Sequence, residues 1–307
     1  MQNVINTIVP IFAVIILGVF LRARDLLPAG MIGPLNRLVY YFAIPCMIFS
    51  AVVKASFQVD FNPLLLAGTL IPVVVIFGAA LLAGKSAGID RRHMGTFVQT
   101  SFHGNLGYIG LAVCYYFAGG ESFARASILA GFLMLLQNFL AVLGLQAFSP
   151  AESAGRGAWF FVKKIVGNPV IVSALLGMGY ALLKLPLPPI VDRSLAIVSG
   201  MALPLALLVI GASLSFRLIK SHLSLVLGAG LFKLIALPGL GLLFYRFLDL
   251  PVAHYVPGVI LLATPTATIC YVMAGEMHGS TDLATAAITM NTLLSYATFI
   301  FWLGIFI

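Results

Sequence analysis

Long uncharged apolar runs constrain this 307-residue chain more than any other feature. A helix needs about 20 predominantly apolar residues to cross a hydrocarbon core of about 30 Å. Runs of that kind cover approximately 4–21, 32–53, 63–83, 95–117, 124–147, 167–184, 190–213, 222–247, 256–275 and 283–306, ten in all. Barrel strands would alternate in polarity over about ten residues, and these runs do not. Only 8% of the residues are charged, against about 25% in a soluble domain, too few to cover a soluble surface. The expected class is an all-α, multi-pass protein of the plasma (inner) membrane. The formal charge of +8 does not point to nucleic acid, because the 17 Lys and Arg residues lie singly or in pairs between apolar runs. Cys46, Cys114 and Cys270 are far apart, each inside an apolar run, so neither a metal site nor a disulfide framework is expected. Residues 1–10 lack a basic segment, and no small-residue cleavage site precedes Arg22 and Arg24, so the first run is read as a retained span.

The longest polar connection, residues 149–164, lies at mid-chain and contains Glu152, Arg156, Lys163 and Lys164. It separates two halves, 1–148 and 165–307, with five runs each. A shift of 159 residues lays Pro10 on Pro169, Gly18 on Gly177, Val39 on Val198, Pro45 on Pro204 and Ser56-Phe57 on Ser215-Phe216; a shift of 160 lays Ala124, Ala126 and Ile128 on Ala284, Ala286 and Ile288, and Gly144 on Gly304. Five is odd, so two such halves enter the membrane from opposite sides, the inverted repeat of many secondary transporters. One side receives Lys54, Arg125, Lys184, Arg193 and Arg246. The other receives Arg22, Arg24, Arg37, Lys85, Arg91, Arg92, Arg156, Lys163, Lys164, Arg217 and Lys220. Positive residues accumulate on the cytoplasmic side, which places both termini outside and the 149–164 linker in the cytosol.

Two runs carry signs of interruption. In the fourth, His103-Gly104-Asn105-Leu106-Gly107-Tyr108 sits mid-span, and an Asn can cap a new helix start. In the ninth, Thr264-Pro265-Thr266 has the Thr-then-Pro order of a helix beginning. The 159-residue shift lays Asn105 on Thr264. Each half is therefore expected to hold a broken helix whose second part starts at the membrane midplane. Its backbone N–H groups and positive dipole end would then face an anion without a full buried positive charge. Gly104, Asn105, Tyr108, Thr264, Pro265 and Thr266 are the expected substrate-binding residues.

At these residues the sequence resembles the auxin efflux carrier family, which includes plant PIN carriers and bacterial carriers of malonate and malate. The resemblance covers essentially the whole chain. It is strongest in Asn105-Leu-Gly-Tyr-Ile-Gly-Leu111, Thr264-Pro-Thr-Ala267, Met273-Ala-Gly-Glu-Met-His-Gly-Ser280, Leu283-Ala-Thr-Ala-Ala-Ile288 and Thr292-Leu-Leu-Ser295. It implies ten transmembrane helices in two inverted five-helix repeats with crossed, broken fourth and ninth helices, a bile acid/sodium symporter-like fold. It also implies a scaffold from spans 1, 2, 6 and 7 and a moving unit from spans 3–5 and 8–10. Many relatives carry Pro shortly after the fourth-span motif, where this chain has Ala112.

Among other intramembrane polar residues, Lys233 is central in the eighth run, where a charge needs a cavity or a partner. It is read as a counter-charge, against snorkelling or a displaced span. Gln137, Asn138 and Asn291 read as interhelical hydrogen-bond glue. Glu276, His278 and Asp282 cluster after the ninth run and read as a solvated loop or an ion-coupling group. His103 titrates near neutrality when unperturbed, and with Lys233 and Glu276 makes up the candidates for ion coupling.

The function expected is secondary active transport of small organic anions, such as malonate, malate or auxin-like acids, by elevator-type alternating access. A channel-like or uniport facilitator and a sodium-coupled symporter of larger organic anions are the alternatives. Enzyme chemistry is not expected, since H-E-x-x-H and the P-loop pattern do not occur. No cofactor is expected. The expected partners are a carboxylate, H⁺ or Na⁺, the bilayer and a second copy of the chain. A cysteine introduced at Ser153 should react only with membrane-permeant reagents in intact cells, and one at the C-terminus with impermeant ones. The opposite pattern would invert the topology.

Overall fold

The computed structural model describes residues 2–54, 62–149, 169–183 and 186–306. Twelve helices account for most of them. They are α1 (Gln2–Ala23), α2 (Ala29–Val53), α3 (Pro63–Ser86), α4 (Arg91–Phe102), α5 (Leu106–Gly119), α6 (Ser122–Phe148), α7 (Pro169–Leu182), α8 (Pro189–Ser213), α9 (Lys220–Phe247), α10 (Val252–Leu262), α11 (Ile269–Glu276) and α12 (Thr281–Gly304). Seven of these, α1, α2, α3, α6, α8, α9 and α12, are long and apolar enough to cross a membrane. The other three expected spans are not single long helices. The fourth is divided into α4 and α5, the ninth into α10 and α11, and the sixth is described only as the 14 residues of α7. The central linker after Ser149, Lys184 and the Ser56-Phe57 pair lie outside the described residues.

Helix ends follow local chemistry. Asn62 caps α3 by accepting the Leu64 N–H at 2.9 Å, with Pro63 at the first helical position. Ser280 caps α12 through the Leu283 N–H at 3.3 Å. Gly119, at φ 75°, divides α5 from α6 by adopting a left-handed conformation that costs glycine little.

Prolines set the irregularities inside spans. A proline removes one helical N–H and crowds the carbonyl four residues back. Pro238 in α9 follows a widened π-helical turn at Leu231–Ala236, and the freed Leu234 carbonyl accepts the Trp302 indole N–H from α12 at 2.8 Å. Pro45 in α2 likewise follows a π turn at Val39–Ala43. Pro204 in α8 instead accompanies a kink, with Met201 between the two helical segments Pro189–Gly200 and Ala202–Ser213.

Several pairings dominate the packing of the helices. The α1 helix lies on the second half of α8. A Cβ at Gly18 would strike the Leu208 carbonyl, and one at Gly211 the Ile15 carbonyl, so small residues let these backbones approach. The second half of α2 packs on α7 and on the start of α8, and the Lys54–Asp192 ion pair at 2.6 Å joins the end of α2 to the start of α8. Around α6 gather α3, α4, α5 and α10, with α9 packed on α3 and α12 on α9. Here buried Tyr245 of α9 shares a hydroxyl hydrogen bond with Thr69 of α3 at 2.6 Å and stacks on Tyr255 of α10 at 5.2 Å.

Trp302→Phe keeps an aromatic ring but strands the Leu234 carbonyl. A buried unsatisfied acceptor costs about 1–3 kcal/mol, so the thermal midpoint in detergent should fall measurably. An unchanged midpoint would mean that this carbonyl finds another partner.

Candidate functional site

The two helix breaks meet. Gly104 and Thr266 form an isolated antiparallel bridge. The Asn105 N–H donates to the Pro265 carbonyl at 2.8 Å, and the Ala267 N–H donates to the His103 carbonyl at 2.9 Å. Two extended segments, unable to satisfy themselves as helices do, thus satisfy each other across 2-fold-like local symmetry.

Two helix C-termini, those of α4 and α10, also end at this point, and their last carbonyls need donors. Gln137 of α6 serves α4: its Nε2 donates to the Phe102 carbonyl at 3.1 Å, while its Oε1 accepts the Gly104 N–H at 3.1 Å. The Thr266 hydroxyl donates to the Thr100 carbonyl at 3.1 Å and accepts from Asn291 Nδ2 at 2.8 Å. On α10, the Thr264 hydroxyl donates to the Leu261 carbonyl at 2.7 Å and the Lys233 ammonium to the Leu262 carbonyl at 2.6 Å. A cation at a helix C-terminus is also favoured by the dipole.

These contacts correct two expectations. Thr264 does not begin a helix: α10 ends at Leu262, Thr264 closes its last turn, and the next helix starts only at Ile269. Asn105 precedes α5, but its side chain makes no capping bond; the first turn after it is π-helical, and its carbonyl accepts the Gly110 N–H at 3.0 Å. A lysine side chain also reaches the breaks. Lys233 is fully buried, so it does not snorkel, and its Nζ would lie 3.2 Å from a Cβ on Gly104. The lysine is needed because helix C-termini, not only N-termini, converge at the breaks.

The structure therefore brings Gly104, Asn105, Thr264, Pro265, Thr266 and Lys233 together. His103 adjoins them, buried and stacked on Phe102. Tyr108 is one helical turn further on, where its hydroxyl donates to Asn36 Oδ1 of α2 at 2.6 Å. Glu276 is exposed at the far end of α11 and is not brought to this group. Gln137 and Asn291 are the interhelical glue expected of them. Sequence reasoning missed Asn36, which stands beside Arg37 and so resembles an ordinary membrane-edge residue. The Asn105 amide is 6% exposed and has no hydrogen-bond partner among the described residues. The breaks thus carry one amide, on Asn105, without a hydrogen bond among the described residues, and a buried lysine packed against Gly104.

A helical protein with seven membrane-crossing helices and interrupted helices paired around buried polar groups has the build of a membrane transporter. The chain belongs to the membrane transport protein family, which it matches over residues 3–156 and 158–303, and this is the auxin efflux carrier family its motifs resemble. It is 27% identical to an "Uncharacterized transporter" of Methanothermobacter thermautotrophicus, over 97% of this chain and 96% of that one. It is 26% identical to a "Putative malonate transporter" of Rhizobium meliloti, over 97% and 94%. It is 22% identical to "Uncharacterized transporter YfdV" of Escherichia coli, over 97% and 96%. The family and these relatives are membrane transporters, not enzymes.

Gly104→Ala should disrupt the pairing, since its Cβ would strike Thr264 Oγ1 and crowd Lys233 Cε at 3.1 Å. Gly107→Ala should be tolerated, since its Cβ would meet the flexible end of Met134 at 3.3 Å. Thermal unfolding and monodispersity in detergent distinguish the two. Equal behaviour would remove the close contact as the reason for Gly104.

Proposed function

We propose that the protein is a secondary active transporter of small organic anions, with the substrate bound where the two breaks pair. The observation that carries this reading is the buried Asn105 side chain, which makes no capping bond, at the point where the two breaks pair. The relative named for malonate supports a carboxylate as the substrate class. Gly104 lets the two segments approach, Asn105 presents its amide to the anion, and Thr264, Pro265 and Thr266 hold the opposite segment in place. Tyr108 closes the side toward α2. The chain crosses the plasma membrane ten times as two inverted five-helix repeats, with α4–α5 and α10–α11 as the crossed fourth and ninth spans and both termini outside.

Alternating access is of the elevator type. The α1, α2, α7 and α8 group is the scaffold, and the group around α6, carrying both breaks, moves against it. The Tyr108–Asn36 hydrogen bond spans the two groups, so it must break in each cycle. A short cross-link between Asn36→Cys and Tyr108→Cys should abolish counter-flow of carboxylate in proteoliposomes, and reduction of the cross-link should recover it in part. Full transport in the cross-linked protein would refute the moving unit.

The site itself is tested by affinity. Asn105→Ala removes the amide and should weaken carboxylate binding about tenfold or more, as loss of a hydrogen bond to a charged group does. Asn105→Asp should be worse, because it sets like charge beside the ligand. Wild-type affinity in Asn105→Asp would place the anion elsewhere.

A further inference from the structure

Of the 5 histidines in this chain, two touch each other. His93 lies in the first turn of α4, and His222 ends the short 3₁₀ turn that opens α9. Their ring centroids are 5.4 Å apart, with the planes inclined at 54°. Both residues are half-buried. Neither side chain makes a hydrogen bond among the described residues, so ring packing alone joins them. No third His, Cys, Asp or Glu of the described residues completes a metal site around them. From this contact α4 and α9 run side by side toward the breaks. Phe97 of α4 meets Phe232 of α9 edge-on at 6.4 Å, and a Cβ on Gly228 would touch the Phe97 ring at 3.3 Å. Further on, Lys233 of α9 packs against Gly104, just past the end of α4. The imidazole pair is thus one end of a helix contact whose other end is the breaks.

Charge around the pair is mostly positive. His222 and Arg92 disfavour a charged His93, and Asp90 favours it. Arg91 is turned to the end of α6, where it donates to the Phe148 and Ser149 carbonyls at 3.4 and 3.2 Å. Lys85 ends α3, which meets α4 where Gly84 faces Met94, and Lys220 opens α9; both lysines are exposed. Glu276, His278 and Asp282 are exposed on the segment that reaches α4 at Thr96, whose hydroxyl accepts the Ser280 N–H at 2.9 Å. We infer that His93 and His222 form an acid-sensitive joint: the neutral rings hold the start of α4 against the start of α9, and protonation of both drives them apart. Like charges at this separation disfavour each other. Partial burial, His222 and Arg92 together hold His93, which precedes the fourth apolar run, below the ordinary histidine range. In the unfolded chain that resistance is gone, so below about pH 6.5 the unfolded state takes up protons that the folded pair refuses. The stability that the joint contributes is therefore complete above about pH 6.5 and is lost as the pH falls through the lowered value of His93. None of this depends on the substrate.

The test is the thermal midpoint of the purified full-length protein in detergent at about pH 7.5 and about pH 5.5. The wild-type midpoint should be lower at the acid pH by about 2–4 °C. His93→Phe and His222→Phe each keep a ring but leave one titrating group, so each should lose most of that fall. The double variant should lose no more than either single one, as expected of a coupled pair. His254→Gln, at the start of α10, should keep the whole fall. A pair with a packing role alone would shift the midpoint equally at both pH values. No fall in the wild type, or an undiminished fall in both Phe variants, overturns the joint. Where a Phe variant does not fold, the Gln variant at the same position carries the comparison.

Discussion

Inside a bilayer no water is at hand to satisfy the backbone, so any stretch that leaves the helix must find its partners in protein. The reciprocal bonds between His103–Asn105 and Pro265–Ala267 meet that requirement. Each segment alone would strand donors and acceptors, whereas together they form a two-bond ladder. The rest of the site is arranged around this ladder. Gly104 has no side chain because the Thr264 hydroxyl and the Lys233 stem occupy that space. Gln137, Thr266 and Lys233 point inward because the helices that stop there leave carbonyls behind them.

That arrangement gives the lysine a second physical meaning. A buried ammonium is tolerable beside a helix C-terminus, where the dipole is negative, and Leu262 supplies that environment. The same lysine completes the cap of α10 and packs against Gly104 of the other break. The π turn at Leu231–Ala236 is part of this placement, since it carries Lys233 and is imposed by Pro238. Trp302 absorbs the carbonyl that the proline frees. Structural repair on one face of α9 and presentation of a charge on another thus share one cause.

Much of this was legible in the sequence. Apolar run length located the crossing helices, because the bilayer imposes a length that no soluble core requires. His103-Gly104-Asn105 and Thr264-Pro265-Thr266 stood out as interruptions, and both are. The direction of the second interruption was not legible. Thr before Pro has the same composition whether it opens a helix or closes one, and the deciding contacts come from Lys233 and from residues of the other half. Asn105 was misread as a cap for a similar reason: its backbone bonds to Pro265, far away in sequence, and the following turn is too wide for ordinary capping geometry. Lys233 was noticed as an anomaly, but its neighbour across the breaks, Gly104, lies far away along the chain.

The ladder also bears on how the protein is made. During synthesis the α4–α5 span is made well before α10–α11 exists. The Thr266 hydroxyl that covers the Thr100 carbonyl comes from 166 residues further along the chain. Until then His103 and Asn105 must be covered provisionally, by Gln137 of the same half or by water held in a partly formed bundle. Contacts so distant in sequence form late, because the chain between them must first be ordered. The main-chain polarity of His103–Asn105 is therefore unfinished until the Pro265–Ala267 segment is in place. Errors of assembly are then expected at the junction of the halves, and truncated chains ending before Thr266 should be substrates for membrane quality control.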